Sequence, residues 1–367
     1  MKFSCHTSEA TSCDIFTGKE AIPALQDFLS SAGAENIFIL TDNNTHHHCL
    51  PLLLKWIPVL QEARVLTMPA GEEHKNIQTV AELWQQMILY GAGRKSLLVN
   101  LGGGVVTDTG GFIASTLKRG IPFVNIPTTL MGMVDAGIGG KNGINIGNLK
   151  NQSGTFCLPA AIFIDDVFLK TLPQTELLSG LGEIIKYGLI SKPVLLENFG
   201  QHDDADLSQI NWIPLIEQSV AIKNELVTED FREKGRRAIL NFGHTMGHAF
   251  ESFSFFRNTP VSHGHAVAMG MVCELFLSVK AAGLDPEIRQ WMTRLIFSYF
   301  VPVEILEDDF EIFENFLSAD KKKSAGELTF ALIQAPGKAV FGVRCDRKMI
   351  LESLQDYLQM IKQLRNV

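Results

Sequence analysis

Leu98-Val99-Asn100-Leu101-Gly102-Gly103-Gly104-Val105-Val106-Thr107-Asp108 reads as a buried apolar strand that runs into a triple-glycine turn and then a helix. Glycines permit positive φ and let backbone N–H groups approach a phosphate, and the helix N-terminus adds a favourable dipole. The run is not the Gly-x-Gly-x-x-Gly fingerprint, so a tight turn without a ligand is the competing reading. Outward from it the pattern repeats. Apolar runs at Asn36–Thr41, Ala63–Met68, Ser96–Leu101, Phe123–Pro127 and Ala161–Ile164 alternate with longer helix-like stretches. That alternation predicts stacked βαβ units, an α/β domain with a mostly parallel sheet. Several runs end in loops rich in Gly, Asp or Thr, such as Thr41-Asp42-Asn43-Asn44 and Gly71-Glu72-Glu73, where such a sheet places its ligands.

After Thr171-Leu172-Pro173 the texture changes to amphipathic helical patterns up to Lys322, which predicts an α-helical second domain and a division into 1–172 and 173–367. Within it, Glu327–Ile333 and Ala339–Val343 flank Pro336-Gly337 and read as a β-hairpin, and Asp346–Arg365 reads as a last helix. The 367 residues are 46% hydrophobic and 20% charged, with a net charge of −8, which excludes a disordered chain and argues against a nucleic-acid binder. The N-terminus lacks a signal-peptide pattern, and the longest uncharged stretch of the C-terminal half, Ala266 to Cys273, is ended by Glu274, well short of a membrane span. Six widely spaced cysteines without a CxxC pair read as reduced thiols in a cytoplasmic protein. A homodimer is the default expectation for such a chain.

A second loop cluster runs from Pro127-Thr128-Thr129 through Asp135 to Gly139-Gly140-Lys141, with Lys150-Asn151 shortly after. It holds Lys141 on a flexible glycine-rich segment, where an ammonium can meet phosphate or carboxylate. Further on, Arg237, Asn241, His244 and His248 recur at spacings of 4, 3 and 4, one stripe if the segment is a helix. Gly243 and Gly247 are poor helix formers, which points to close approach of a neighbour. Glu183 and Lys186 stand three apart on a helix face, and His263-Gly264-His265 adds two histidines. One Glu and two His with an open position make a catalytic zinc set, while a structural histidine remains the alternative for each alone. His46-His47-His48 is a weaker metal candidate in a polar loop.

Taken together, Gly102 to Gly120, Ile126-Pro-Thr-Thr-Leu130, Val134 to Lys141, Leu149-Lys-Asn151, Gly182 to Gly188, Leu240 to Glu251 and Ser262-His-Gly264 resemble the 3-dehydroquinate synthases, within the wider sugar-phosphate cyclases. The match runs from about Thr41 to Lys322. The resemblance implies a Rossmann-like N-terminal domain that binds NAD and a helical, metal-binding C-terminal domain carrying zinc, with cobalt or iron possible on the same ligands. It implies NAD contacts at Asp42, Glu72, Lys75, Gly104, Val105, Val106, Thr107, Asp108, Thr128, Thr129, Phe168, Leu169, Lys170 and Thr171, with Lys141 and Lys150 near the nicotinamide and substrate. The implied metal ligands are Glu183, His244 and His263. The implied substrate set is Arg119, Asp135, Lys141, Asn151, Lys186, Lys223, Arg237, Asn241 and His248, with Lys321 or Lys322 on the phosphate.

The implied substrate is a small phosphorylated sugar acid, 3-deoxy-D-arabino-heptulosonate 7-phosphate, cyclised to 3-dehydroquinate with loss of phosphate on the shikimate route to aromatic compounds. Transient oxidation acidifies a neighbouring C–H and so permits elimination, which is why a hydride acceptor, a Lewis acid and anion-binding cations are needed together. Four departures stand out: His265 where the family has Glu, Leu149 before Lys150 where it has Gly, Gly182 where it has Ala, and Asn142 after Lys141 where it has Thr. Residues two apart on a helix point about 200° from each other, so His265 is not expected to share a metal with His263. Competing readings are an inosose or valiolone synthase, a metal-dependent polyol dehydrogenase and a non-catalytic NAD-binding relative. The lysine array counts against the dehydrogenase, and the intact Glu/His/His set against the last.

Overall fold

The computed structural model describes residues 1–7, 9, 11–147, 149–199, 207, 210–320 and 328–365. They form two compact units, Met1–Pro173 with Asn211–Arg232, and Gln174–Ile210 with Glu233–Val367. The helix Trp212–Glu229, which the sequence division places in the second domain, belongs to the first unit, where Asn224 and Thr228 bond Ser4 and Cys5.

The strands of the first unit are β1 (Lys2–His6), β2 (Ser12–Thr17), β3 (Ile37–Asp42), β4 (Arg64–Met68), β5 (Leu97–Gly102), β6 (Phe123–Pro127), β7 (Lys141–Ile146), β8 (Leu149–Phe156) and β9 (Ala161–Ile164). Seven make one sheet in the order β1-β2-β9-β6-β5-β3-β4. Every neighbouring pair is parallel except β1–β2. Central strands buried on both faces read as continuous apolar runs, and β5, Leu97 to Gly102, is buried at every residue. All five strands expected from sequence are present, within a residue at each end.

Two hairpins lie outside that expectation. The short β1–β2 pair carries polar residues through its alternation. The β7–β8 pair is formed from Asn- and Gly-rich sequence that reads as a loop. Lys141 is therefore not on a flexible segment: it opens β7, paired with Phe156. Ladder hydrogen bonds, invisible in the composition of this stretch, hold it.

In the second unit the helix His263–Ala281 is central. Against it pack helices Gln174–Ile190, His244–Phe256, Pro286–Tyr299 and Arg347–Arg365, and the hairpin of β10 (Leu328–Ala335) and β11 (Lys338–Cys345). By length and composition this helix could cross a membrane, an outcome the reading from Ala266 to Cys273 did not foresee. Its most apolar window is 72% buried within the unit, the position of a core helix.

Candidate active site

Three helices of the second unit supply the chemistry: Gln174–Ile190 carries Glu183 and Lys186, His244–Phe256 carries His244 and His248, and His263–Ala281 begins at His263. Glycine crossings bring them together. A Cβ on Gly182 would stand 2.5 Å from the Gly264 carbonyl, and one on Gly264 1.8 Å from that of Ser179. Those backbones touch beside Glu183 and His263, so the departure to Gly at position 182 fits its neighbour. At the second crossing, a Cβ on Gly270 would fall 2.0 Å from the Gly243 carbonyl.

The expected stripe of Arg237, Asn241, His244 and His248 is not one helix. Arg236–Asn241 is a tight helical turn, and Gly243, at φ 81°, breaks it before the helix that starts at His244. A left-handed residue cannot continue an α-helix, and a glycine adopts that geometry without strain. Ligand atoms of Glu183, His244 and His263 nonetheless lie within 4.8 Å of one another, as the one such group found among the described residues.

The donor set fits a divalent metal. Glu183 is fully buried, and neither of its oxygens accepts a hydrogen bond, although the Lys186 ammonium lies against Oε2 and His244 Nε2 is 3.5 Å from Oε1. A buried carboxylate with an ammonium and an imidazole against it, and no other hydrogen-bond donor on its oxygens, can take a further cation. His244 Nδ1 is 3.2 Å from the Phe242 carbonyl, to which a ring N–H donates, leaving the Nε2 lone pair for a ligand. Glu251 stands 3.5 Å from His263 Nδ1 and does the same there. A carboxylate and two neutral imidazoles with room for a further ligand match the composition of a catalytic zinc site.

Around this group, His248 sits with its ring 5.7 Å from that of His244 and 5.9 Å from that of His263, beside the set rather than in it. Arg237 is buried, and Asn241 donates to Glu233 at 2.7 Å. A cavity of about 220 Å³ opens here, lined by Asn241, His244 and His248, and by Thr329 and Phe341 from β10 and β11. The hairpin's contribution was not foreseen; none of its lining residues carries a charge that sequence could flag.

In the first unit the loops at the carboxyl ends of β3, β4, β5 and β6 hold Asp42, Glu72, Gly104 and Thr128 respectively. Chain order reverses between β3 and β5, the switch point where parallel α/β sheets bind dinucleotides. The triple glycine leads into helix Gly104–Thr116, which carries Val105, Val106, Thr107 and Asp108 in its first turns. Added Cβ atoms on Gly102 and Gly103 would meet Val106 and Thr129, so these glycines also serve packing of the protein against itself. The open helix N-terminus fits a pyrophosphate.

Lys75, buried, donates to Asp108 at 2.5 Å and to Asn151 at 2.7 Å. Burial alone would lower the Lys75 pKa, but the charges of Asp108 and Glu72 outweigh it and raise it. Burial lifts the Asp108 carboxyl above its ordinary value while Lys75 pulls the other way. Asn151, at φ 51°, donates its backbone N–H to Asn145 Oδ1, and the Asn145 Nδ2 donates to Glu72. Lys223 donates to both the carbonyl and the carboxylate of Asp135 at 2.6 Å.

Asp42 caps its own helix by accepting from Thr45, and Thr129 accepts from the Gly132 N–H. Phe168 and Leu169 are core, Thr171 bonds the Phe168 carbonyl, and Lys150, Lys170 and Arg119 are exposed. Lys321 and Lys322 lie outside the described residues. His265 donates to the Val301 carbonyl at 2.6 Å and is not in the group of Glu183, His244 and His263, and burial lowers its pKa. His46 bonds Thr67, and the triple-histidine run joins no metal group among the described residues.

The sequence profile described as 3-dehydroquinate synthase N-terminal matches residues 65–179, and that described as 3-dehydroquinate synthase C-terminal matches residues 180–323. A curated 3-dehydroquinate synthase from Parabacteroides distasonis is 44% identical over 342 residues, covering 92% of this chain and 96% of that protein. Among solved structures, a 2-epi-5-epi-valiolone synthase from Streptomyces hygroscopicus with NAD+ and Zn2+ bound superposes with a TM-score of 0.83 at 26% identity, over 95% of this chain and 98% of that one. A 2-deoxy-scyllo-inosose synthase complexed with carbaglucose-6-phosphate, NAD+ and Co2+ does so at 0.81 and 20% identity, over 97% and 99%, and bears on the fold alone.

Proposed function

The chain belongs to the 3-dehydroquinate synthase family, and from that membership we propose that it is a carbon–oxygen lyase converting 3-deoxy-D-arabino-heptulosonate 7-phosphate to 3-dehydroquinate and phosphate, with NAD and a divalent metal. The observation that carries the reading is the buried Glu183, with the Lys186 ammonium against it, grouped with two histidines whose ring tautomers are set by Phe242 and Glu251. That set suits Zn2+ or Co2+. Its partner is the small sugar acid; the net charge of −8 suits no nucleic acid, and the widely spaced free thiols suit a cytoplasmic enzyme.

When bound, NAD supplies a reversible hydride acceptor and the metal Lewis acidity at the hydroxyl being oxidised. The protein's own groups bind, orient and move protons. Glu183, His244 and His263 hold the metal, and the loops bearing Asp42, Glu72, Lys75 and Gly104 to Asp108 hold the nucleotide. Lys186 and Arg237 are buried cations, and Arg237 offers a planar fork matched to a carboxylate or phosphate. His248, with Asn241 across the same cavity, carries a proton between the reacting hydroxyl and the departing phosphate. Lys223 and Asp135 hold each other ready for substrate hydroxyls. Net, the substrate loses phosphoric acid and closes a carbocycle without change of oxidation state.

The test gives purified protein zinc, catalytic NAD and the heptulosonate phosphate, with free phosphate and NADH both followed and EDTA as control. Metal-dependent phosphate release without net NADH is the expected result. Net NADH from a simple polyol would replace the cyclase by a dehydrogenase, and release only from a hexose phosphate would make it another cyclase. His248→Asn is expected to slow turnover by about 100-fold or more, the usual weight of a positioned acid–base, with zinc content intact. Loss of zinc would end the proton-relay role.

A further inference from the structure

Glu274 interrupts an apolar helix and is fully buried, where a carboxylate is expensive without strong partners. Among its partners are two backbone amides of the neighbouring helix. Oε2 accepts from the Gly243 N–H at 2.7 Å, and Oε1 from the Met246 N–H at 3.1 Å. Gly243 is the N-cap of helix His244–Phe256, His244 its first residue and Met246 its third. These are the two amides that a capping box satisfies from within a helix; Gly243 has no side chain to do so, and one carboxylate from the next helix does both. The dipole at that helix end favours an anion. A capping side chain on residue 243 itself is excluded, because its Cβ would lie 2.4 Å from Met271.

We propose that Glu274 is a positioning residue for the metal: by clamping the backbone on both sides of His244, it fixes that ligand before the ion arrives. The inference rests on the reading of Glu183, His244 and His263 as the ligand set. With the backbone of His244 held at residues 243 and 246, and its ring held through Nδ1 by the Phe242 carbonyl, little freedom is left to Nε2. Glu274→Gln keeps the shape but turns one acceptor into a donor that faces a backbone N–H. The helix itself keeps its packing of Phe250 and Phe253 on Phe313, so the fold has other support.

The experiment compares full-length wild type and Glu274→Gln, both stripped by chelator and titrated with zinc against a chromophoric competitor, and records the visible spectrum of each with Co2+. Expected are one zinc per wild-type chain, a folded variant by near-ultraviolet circular dichroism, zinc affinity down about 10- to 100-fold, and a shifted cobalt spectrum. Equal affinity and an equal spectrum in a folded variant would overturn the proposal. A wild type that takes up no zinc would bring down the ligand set and this inference with it. If the variant does not fold, hydrogen exchange on metal-free wild type decides: protected Gly243 and Met246 amides support a preformed clamp, and exchange at the rate of exposed amides refutes it.

Discussion

Asp108 in the α/β unit and Glu183 in the helical unit are both carboxylates placed beside a buried lysine, and their surroundings differ in kind. Asp108 takes a 2.5 Å bond from Lys75, whose ammonium also reaches Asn151, which leads on to Asn145 and Glu72. Glu183 has a lysine against it and an imidazole at 3.5 Å, yet its oxygens accept no hydrogen bond. The first network is internally satisfied and stabilises a conformation. The second has an ion pair but no hydrogen-bond network, at the place where helix backbones meet at glycines and two imidazoles come within reach of the same carboxylate, a grouping that marks what the fold is kept for.

The comparison breaks most decisively at Glu183. Glu183→Gln is expected to lower bound zinc after dialysis to near background and phosphate release by about a thousandfold or more, the several kcal/mol that Lewis acidity contributes. Retained zinc and turnover would mean that Glu183, like Asp108, is a structural anion.

Lys75→Met tests the other side and is expected to act on stability first. Stripping one partner from a buried pair costs about 3–5 kcal/mol, because the remaining charge stays buried. The pH dependence follows from Asp108. Its carboxyl is raised above the ordinary 3.8 even with Lys75 in place, and losing the lysine raises it further. A raised folded value gives stability that is present below the unfolded pKa and lost as pH rises through the folded one. Denaturant unfolding should therefore show a small deficit near pH 4 that grows toward pH 8. The zinc content of this variant should match wild type, whereas a pH-independent deficit would remove Asp108 from the explanation.

The two regions also differed in how far sequence could describe them. The sheet was legible because β3, β5, β6 and β9 are apolar runs bounded by turn residues, a signal local to each segment. The proposed ligands Glu183, His244 and His263 were named through family resemblance and through residue types that bind metal, and the structure groups them. The helical stripe at 237–248 was misjudged because spacing alone cannot show a left-handed Gly243, which depends on the Met271 and Val267 of another helix. Lys141 was assigned to a loop because strand pairing with Phe156 is a tertiary fact. In the sequence Glu274 is the end of an apolar run; the two amides it accepts from belong to the backbone, which carries no sequence signal at all.

The smallest effect is expected at His265, where the chain departs from its family two residues after the proposed ligand His263. Its ring donates to the Val301 carbonyl and packs near Phe300, and it is not in the group of Glu183, His244 and His263. His265→Ala removes one hydrogen bond, a loss of about 1 kcal/mol in unfolding free energy, and should leave zinc affinity and the Michaelis constant within twofold. This sharpens the contrast, because it asks whether proximity in sequence to the open site confers a role in it. A measurable fall in zinc affinity would show that the helix start responds as a unit, and the boundary drawn between ligand and scaffold at His263 would have to move to include the turn that follows it.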